Sequence, residues 1–447
     1  MTSFDAGPAG LLDELRWRGM FHAASDGLAA RLATGRPISG YNGFDPSGPS
    51  LHIGHLVPIF GMIHFQRHGG RPVALLGGGT GMIGDPSGRS AERNLLDRDT
   101  LATNVAGIRA QLEQFLDFSG PRGAVLVNNL DWLESMTMIE FLREVGKHFT
   151  IPYMLAKDSV QVRLDRGLSY TEFSYMLLQS ADFAHLHRTM GVELQMGGAD
   201  QWGNITAGLE LIRRSGGGGA DAAGPSTEGR TDAAFGLAYP LLLSPSGTKF
   251  GKSAEGDSVW LDPNRTTPFA FYQHWLNTDD RDVGVYLRWF TTMTPAQIVA
   301  LEADMAADPG ARAAQRALAM DVTGRTHGPD VARQVAADSI ALFAPDPIRD
   351  PALLERLWTS VGGFSVVPGG AAAGTAAILA AAGVFSSNGE ARRMIQNGGL
   401  TVNGEPIRDP ASAMPDPIEG TWWEVRIGKR RREIGRLVSN QGRSMDN

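Results

Sequence analysis

Cysteine is missing from all 447 residues, so disulfides and thiolate metal sites are excluded. Its absence fits a cytoplasmic protein, and cytoplasmic is the expected location. Also missing is any run of about 18 apolar residues, so no membrane span and no membrane partner is expected. Met1-Thr2-Ser3-Phe4-Asp5 lacks the basic and then apolar profile of a secretory leader. No internal repeat is present. Positive charge is in deficit: 41 Lys and Arg against 48 Asp and Glu give a net charge of −7, which argues against a general nucleic-acid coat and against DNA as a partner. The exception is Lys429-Arg430-Arg431-Arg432, flanked by Arg426 and Arg436, a basic cluster late in an acidic chain.

What is present is a chain long enough for about three domains at roughly 150 residues each. Between Ile38 and Leu242, short apolar runs such as Ile38–Phe44, Pro72–Gly77 and Gly123–Asn128 alternate with helical stretches such as Leu101–Phe118 and Met136–Phe149. That alternation predicts an α/β fold, a Rossmann-like parallel sheet with helices on both faces and ligands at the carboxyl ends of the strands. The expected organisation is a catalytic domain over 1–261, an α-helical domain over 262–344, a Pro-, Gly- and Ala-rich linker over 345–373 and a small α+β module over 374–447. Within the last, 376–382 and 388–396 read as helices and Leu400–Ile407 as a hairpin turning at Asn403-Gly404. Ser215–Asp232, with four consecutive glycines, reads as a surface loop of unassigned role.

Four segments could carry chemistry. In the first, Tyr41-Asn42-Gly43-Phe44-Asp45-Pro46-Ser47-Gly48 leads from a strand through turn residues into His52-Ile53-Gly54-His55 and a helix predicted over 52–65. A helix N-terminus can hold a phosphate. The two histidines share a face at i, i+3 and could equally be metal ligands lacking a recognisable third partner, or plain surface. Second, Lys249-Phe250-Gly251-Lys252-Ser253 places two lysines at i, i+3 about a bendable glycine, a jaw for a polyphosphate or an ordinary loop. Third, the helix predicted around 169–183, with Thr171 as its N-cap, puts Tyr175, Gln179 and Asp182 at i, i+4 and i+7 on one face. This polar stripe is either a wet face or a pocket wall. Fourth, Gln195-Met196-Gly197-Gly198-Ala199-Asp200-Gln201 has small residues that admit a flat ligand and a carboxylate suited to a ribose.

Together the His52–His55 and Lys249–Ser253 segments resemble the two nucleotide signatures of the class I aminoacyl-tRNA synthetases, in the form found in the bacterial tyrosyl-tRNA synthetases. The likeness runs from about Leu11 to Arg436, and Ser387–Gln396 with the Val402-Asn403-Gly404 hairpin resembles an S4 RNA-binding domain. It implies activation of L-tyrosine by ATP to tyrosyl-adenylate with release of pyrophosphate, then transfer to the 3′-terminal adenosine of tRNA(Tyr). By this resemblance Tyr41 and Asp182 hold the phenol, Tyr175, Gln179 and Asp85 the ammonium, and Gly43, Asp45, Gln195 and Gln201 the rest of the tyrosine side. Ser47, His52, His55, Lys249 and Lys252 act on the phosphates and ribose, with Gly54, Gly198, Asp200 and Ser253 also on ATP. Mg²⁺ travels with ATP, and neither a resident protein cofactor nor a protein metal site is implied. Arg392, Arg393, Lys429, Arg430 and Arg431 face RNA, and the family form is a homodimer. Ser47 stands where many relatives have threonine, and Pro58 follows the histidine signature. The competing readings are a tryptophanyl enzyme and a non-catalytic RNA-binding protein on the same scaffold.

Overall fold

The computed structural model describes residues 7–85, 96–157, 160–161, 167–216, 233–242, 250, 258–367, 374–428 and 431–438. The chain forms two compact units, Met1–Thr266 with Leu276–Thr326, and Thr267–Trp275 with His327–Asn447.

The first unit is built on a six-stranded sheet of β1 (Ala23–Ala24), β2 (Ser39–Phe44), β3 (Arg71–Leu76), β4 (Val125–Asn128), β5 (Leu194–Gly198) and β6 (Phe235–Tyr239), in the order β1-β6-β5-β2-β3-β4. All neighbours are parallel except β1, which is antiparallel to β6. β3 reads Arg-Pro-Val-Ala-Leu-Leu and is buried from Pro72 onward, as a strand covered on both faces requires. The helix Leu56–Arg67 that follows β2 is also buried along most of its length.

After β2 the chain steps to β3 and β4 on one side, then returns to place β5 on the other. The crevice beyond the carboxyl ends of β2 and β5 is therefore the switch point of the sheet, where such folds bind ligands. The register sets Tyr41 opposite Val73 on one neighbour and opposite Gln195 on the other.

Element ends differ from the sequence reading where caps outweigh periodicity. The helix expected over 52–65 opens with a 3-10 turn, Ile53–His55, before Leu56–Arg67. The helix expected over 101–118 is Arg98–Phe115, started by Asp97, whose carboxylate accepts from the Thr100 N–H. The 136–149 stretch is shorter, Met138–Glu144 with a 3-10 turn Gly146–His148. Ser169, not Thr171, caps the helix Tyr170–Met190, accepting from the Glu172 N–H.

In the second unit, β7 (Phe364–Val366), β8 (Leu400–Val402), β9 (Glu405–Pro406), β10 (Trp422–Ile427) and β11 (Arg431–Leu437) form a sheet in the order β7-β11-β10-β8-β9. The β8–β9 hairpin turns at Asn403 and Gly404, with φ of 54° and 83°, the left-handed pair of a type I′ turn. The 345–373 stretch expected as a linker is instead structured over much of its length. It holds the helix Pro351–Val361, and β7 pairs with β11. Its composition hid two apolar faces: Leu354 and Leu357 are fully buried, and Phe364 and Val366 enter the core of the module. The 262–344 stretch expected as one helical domain is divided between the two units.

The basic cluster also divides. Lys429 and Arg430 lie outside the described residues. Arg431 is half-exposed and donates to the Val384 carbonyl. Arg432 turns inward, ion-paired at 2.8 Å with buried Glu424 and donating to the carbonyls of Ala341, Ala344 and Asp346. Arg436 lies over the rings of Trp358 and Trp422 at 5.2 Å each. These two arginines hold the module together and do not form a surface stripe.

Candidate active site

One cavity of about 740 Å³ opens at the switch point. Tyr41, Gly43, Asp45, Ser47, His52, Gly54, His55, Asp85, Tyr175, Gln179, Asp182, Gln195, Gly198, Asp200 and Gln201 all line it. Of the segment Lys249–Ser253 only Phe250 is described, and it lines the same cavity. Lys249, Lys252 and Ser253 lie outside the described residues.

The histidine segment is ordered by reciprocal capping. His52 Nδ1 accepts from the Gly54 N–H at 3.0 Å, and His55 Nδ1 accepts from the His52 N–H at 3.1 Å. Because Nδ1 accepts in both, each neutral ring carries its proton on Nε2, which is then a donor. The ring centroids are 4.1 Å apart. A Cβ at Gly54 would lie 2.7 Å from His52 Cε1, so a larger residue here would displace that ring. The result is a helix N-terminus with two imidazole donors, suited to phosphate oxygens.

The other end of the cavity is a buried polar chain. Asp182, 1% exposed, accepts from Asn129 Nδ2 and from Trp132 Nε1, both at 2.8 Å. Asn129 Nδ2 also donates to Thr80 Oγ1, which donates to Asp45 Oδ1 at 3.0 Å. Tyr175 Oη donates to Asp45 Oδ2 at 2.9 Å. Near the mouth, Gln201 Nε2 donates to Asp85 Oδ2 at 2.6 Å, and Asn204 Nδ2 to Gln201 Oε1.

Burial pushes the Asp182 carboxyl up to about 7, against its hydrogen bonds from Asn129 and Trp132 and with a further push from the Asp45 charge. Burial likewise drives the Tyr41 and Tyr175 phenols well above 10, reinforced by Asp182 beside Tyr41 and by Asp45 beside Tyr175. Both tyrosines are therefore neutral donors at physiological pH.

Four residues that line this cavity each carry a buried polar atom with no hydrogen-bond partner among the described residues: Tyr41 Oη, Asn42 Oδ1, Gln179 Oε1 and Gln195 Oε1. Unpaired buried polar groups are costly, so their convergence on one cavity marks a site built for a polar ligand. Among the described residues no group of three or more His, Asp or Glu side chains is placed to hold a metal ion.

Sequence reasoning passed over Asn42, Thr80, Asn129, Trp132 and Trp260. Trp260 bridges to the His52 backbone, with its ring 6.0 Å from the imidazole. The overlooked signal for Asn129 was its place just beyond β4, at the same sheet end as the other site residues. In the second unit, Arg392 and Arg393 are exposed on the helix Asn388–Gln396.

Residues 33–344 match the family described as tRNA synthetases class I (W and Y), and residues 376–413 match the S4 domain. The chain is 48% identical over 425 residues to a tyrosine–tRNA ligase of Anaeromyxobacter dehalogenans, covering 94% of this chain and 97% of that protein. It is 45% identical over 446 residues to the corresponding ligase of Roseiflexus castenholzii, covering 96% and 99%. Among solved structures it is similar to a C-terminally truncated mitochondrial tyrosyl-tRNA synthetase of Aspergillus nidulans, with a TM-score of 0.67 and 28% identity over 74% of this chain and 94% of that one.

Proposed function

The chain belongs to the class I tRNA synthetases for tryptophan and tyrosine, and we propose that the switch-point cavity is where it activates tyrosine with ATP. Its reaction is that of the tyrosine–tRNA ligases: L-tyrosine and ATP give tyrosyl-adenylate and pyrophosphate, and the tyrosyl group then passes to the 3′-terminal adenosine of tRNA(Tyr). The observation that carries the siting is that four residues with unpartnered buried polar atoms, Tyr41, Asn42, Gln179 and Gln195, line one cavity.

The tyrosine ring enters between β2 and the helix Tyr170–Met190. Its phenol donates to ionised Asp182 and accepts from Tyr41 Oη. Phenylalanine leaves Tyr41 Oη unpaired and deprives the buried Asp182 carboxylate of the phenol's donor, and tyrosyl-tRNA synthetases are the reference case for the resulting discrimination of about five powers of ten. Tyr175, Gln179 and Asp85 take the ammonium, while Gln195 and Gln201 lie along the tyrosine and α-phosphate side. The substrate carboxylate is already a nucleophile, so its attack on the α-phosphorus needs no general base. Positioning and charge stabilisation then carry the step.

His52 Nε2 and Ser47 serve the departing phosphates together with Lys249 and Lys252. His55 and Asp200 hold the ribose, and Gly54 and Gly198 leave room for the nucleotide. Mg²⁺ arrives with ATP as part of the substrate. Arg392, Arg393 and Arg431, with Lys429 and Arg430, contact the tRNA backbone.

The chain works as a homodimer, and an apolar surface near the site supports this. Met138 and Ile139 are 77% and 72% exposed, and Leu142, Ile151 and Tyr170 are exposed with them. The three elements carrying them pack around one cluster that includes Val145, Met154 and Met176, so these exposed side chains come from one packed region of the unit. A second copy covering that region removes it from water. The protein is cytoplasmic; no helix among the described residues is long and apolar enough to cross a membrane.

Charging of tRNA(Tyr) by the purified chain, with ATP and labelled tyrosine, tests this reading. Tyrosine incorporation into acid-precipitable RNA is expected. Incorporation of tryptophan in its place contradicts it.

A further inference from the structure

Asp182 is aimed by a partner that is itself held in place. The Trp132 indole donates its N–H to Asp182 Oδ1 at 2.8 Å, and its ring lies flat against the His185 imidazole, with centroids 4.4 Å apart and planes 11° from parallel. Trp132 sits on the short helix Leu130–Leu133, a single turn beyond β4, and is only half-buried. Such a helix does little by itself to fix an indole, which also packs at the edge of the cluster containing Tyr41, Phe183 and Leu186. His185 belongs to the 21-residue helix Tyr170–Met190, three residues after Asp182, so the imidazole and the carboxylate share one rigid face. The other donors on that network need no help from His185: Asn129 bonds Asp182 and Thr80, and Thr80 bonds Asp45.

We propose that His185 is a positioning residue for tyrosine specificity: by stacking on Trp132 it keeps the indole N–H directed at Asp182. This rests on the reading of the cavity as the tyrosine site. His185 touches no reacting atom, and its part is to hold one of the two hydrogen bonds that keep the Asp182 carboxylate oriented and ionised. An imidazole suits the place because it is flat and, on this helix, is held neutral by burial and by Arg188. A neutral stacked ring adds no second charge beside the carboxylate.

Without the stack, the indole keeps its edge contacts with the core but loses the ring that sets its plane, and its bond to Asp182 weakens. The charged and titratable groups around Asp182 are Tyr41 on β2, Asp45 beyond β2, and Tyr175 and the neutral His185 on the same helix, and none of them is a cation. Weakening that bond therefore raises the pH at which Asp182 ionises.

The test is tyrosine-dependent pyrophosphate exchange with the full chain, measured against tyrosine concentration and pH, for the unaltered protein, His185→Ala, His185→Phe and Trp132→Phe. His185→Ala is expected to raise the tyrosine KM about tenfold, the size of one aromatic pair, with kcat within about twofold. It is also expected to move the acid limb of kcat/KM to higher pH. His185→Phe restores the flat partner and both parameters. Trp132→Phe keeps a ring but no donor, so it moves the acid limb as His185→Ala does, which keeps the test decisive even where His185→Ala folds poorly. An unmoved KM and acid limb in His185→Ala overturns the proposal, as does an unmoved limb in Trp132→Phe. Absence of tyrosine-dependent exchange in the unaltered chain overturns the reading of the cavity instead.

Discussion

Tyr175 Oη donates a 2.9 Å hydrogen bond to Asp45 Oδ2, joining the helix Tyr170–Met190 to the turn that leaves β2. Both residues are also among those assigned to the tyrosine substrate, so one bond ties the floor of the cavity to its wall. Tyr175→Phe removes this hydrogen bond to the Asp45 carboxylate. A hydrogen bond to a charged group is worth about 1.5–3 kcal/mol, so the tyrosine KM should rise about tenfold or more while folding is retained. Exchange kinetics with a parallel thermal melt measure both.

Asp182 sets a pH dependence. Its carboxyl titrates near 7 in the folded protein against 3.8 ordinarily. Below about 7 the protonated form dominates and cannot serve as the anionic acceptor for the substrate phenol. The kcat/KM for tyrosine should fall about tenfold per pH unit below that point and be level above it. In Asp182→Ala the limb should vanish and selectivity over phenylalanine should drop by about 100-fold or more. A pH–rate series on the two proteins checks this.

Stability responds to a second buried cluster in the first unit. Glu14 pairs with Arg18 at 2.8 Å and faces His68 at 2.5 Å and His64 at 3.3 Å. Burial alone would raise the Glu14 carboxyl, but the neighbouring His64, His68 and Arg18 outweigh it and hold it far below the usual range. Arg18 also donates to the carbonyls of Arg288, Thr291 and Met293. Glu14→Ala leaves that guanidinium buried without its carboxylate and should cost about 3–5 kcal/mol in denaturant unfolding.

His64 adds a pH term of its own. Burial lowers it from 6.5 to about 4, so the fold keeps the ring neutral where the unfolded chain would protonate it. Its contribution is complete above 6.5 and is lost as pH falls toward 4. The chain should therefore unfold at lower denaturant as pH drops through that window. His64→Phe should flatten that part of the curve.

The apolar region predicts an assembly effect. Ile139→Asp places a charge on a residue 72% exposed in one copy, so it should leave the isolated fold intact while weakening association. Sedimentation should show a shift from dimer to monomer, with the melting of the monomer little changed.

Much of the site was readable because chemistry and periodicity coincide there. His52 and His55 lie three residues apart at a strand-to-helix junction, and Tyr175, Gln179 and Asp182 share a face at helical spacing. Asn129 and Trp132 were not readable. Their role depends on β4 lying beside β3 and on the long helix packing across the sheet, contacts that no local pattern encodes. The same limit hid the 345–373 segment, where Pro and Gly content masked a capped helix and a strand supplied to a distant sheet. Arg432 is the complementary case: it stands in a run of four basic residues whose other members were expected to face RNA, yet alternation along β11 sent it inward to Glu424.

The most direct measurement is exchange of labelled pyrophosphate into ATP by the purified full chain, run in parallel with tyrosine, phenylalanine and tryptophan. Strong exchange with tyrosine alone, abolished by Lys252→Ala and made permissive by Asp182→Ala, is the expected result. Equal exchange with phenylalanine or tryptophan, or exchange with tyrosine that survives Lys252→Ala unchanged, would contradict it.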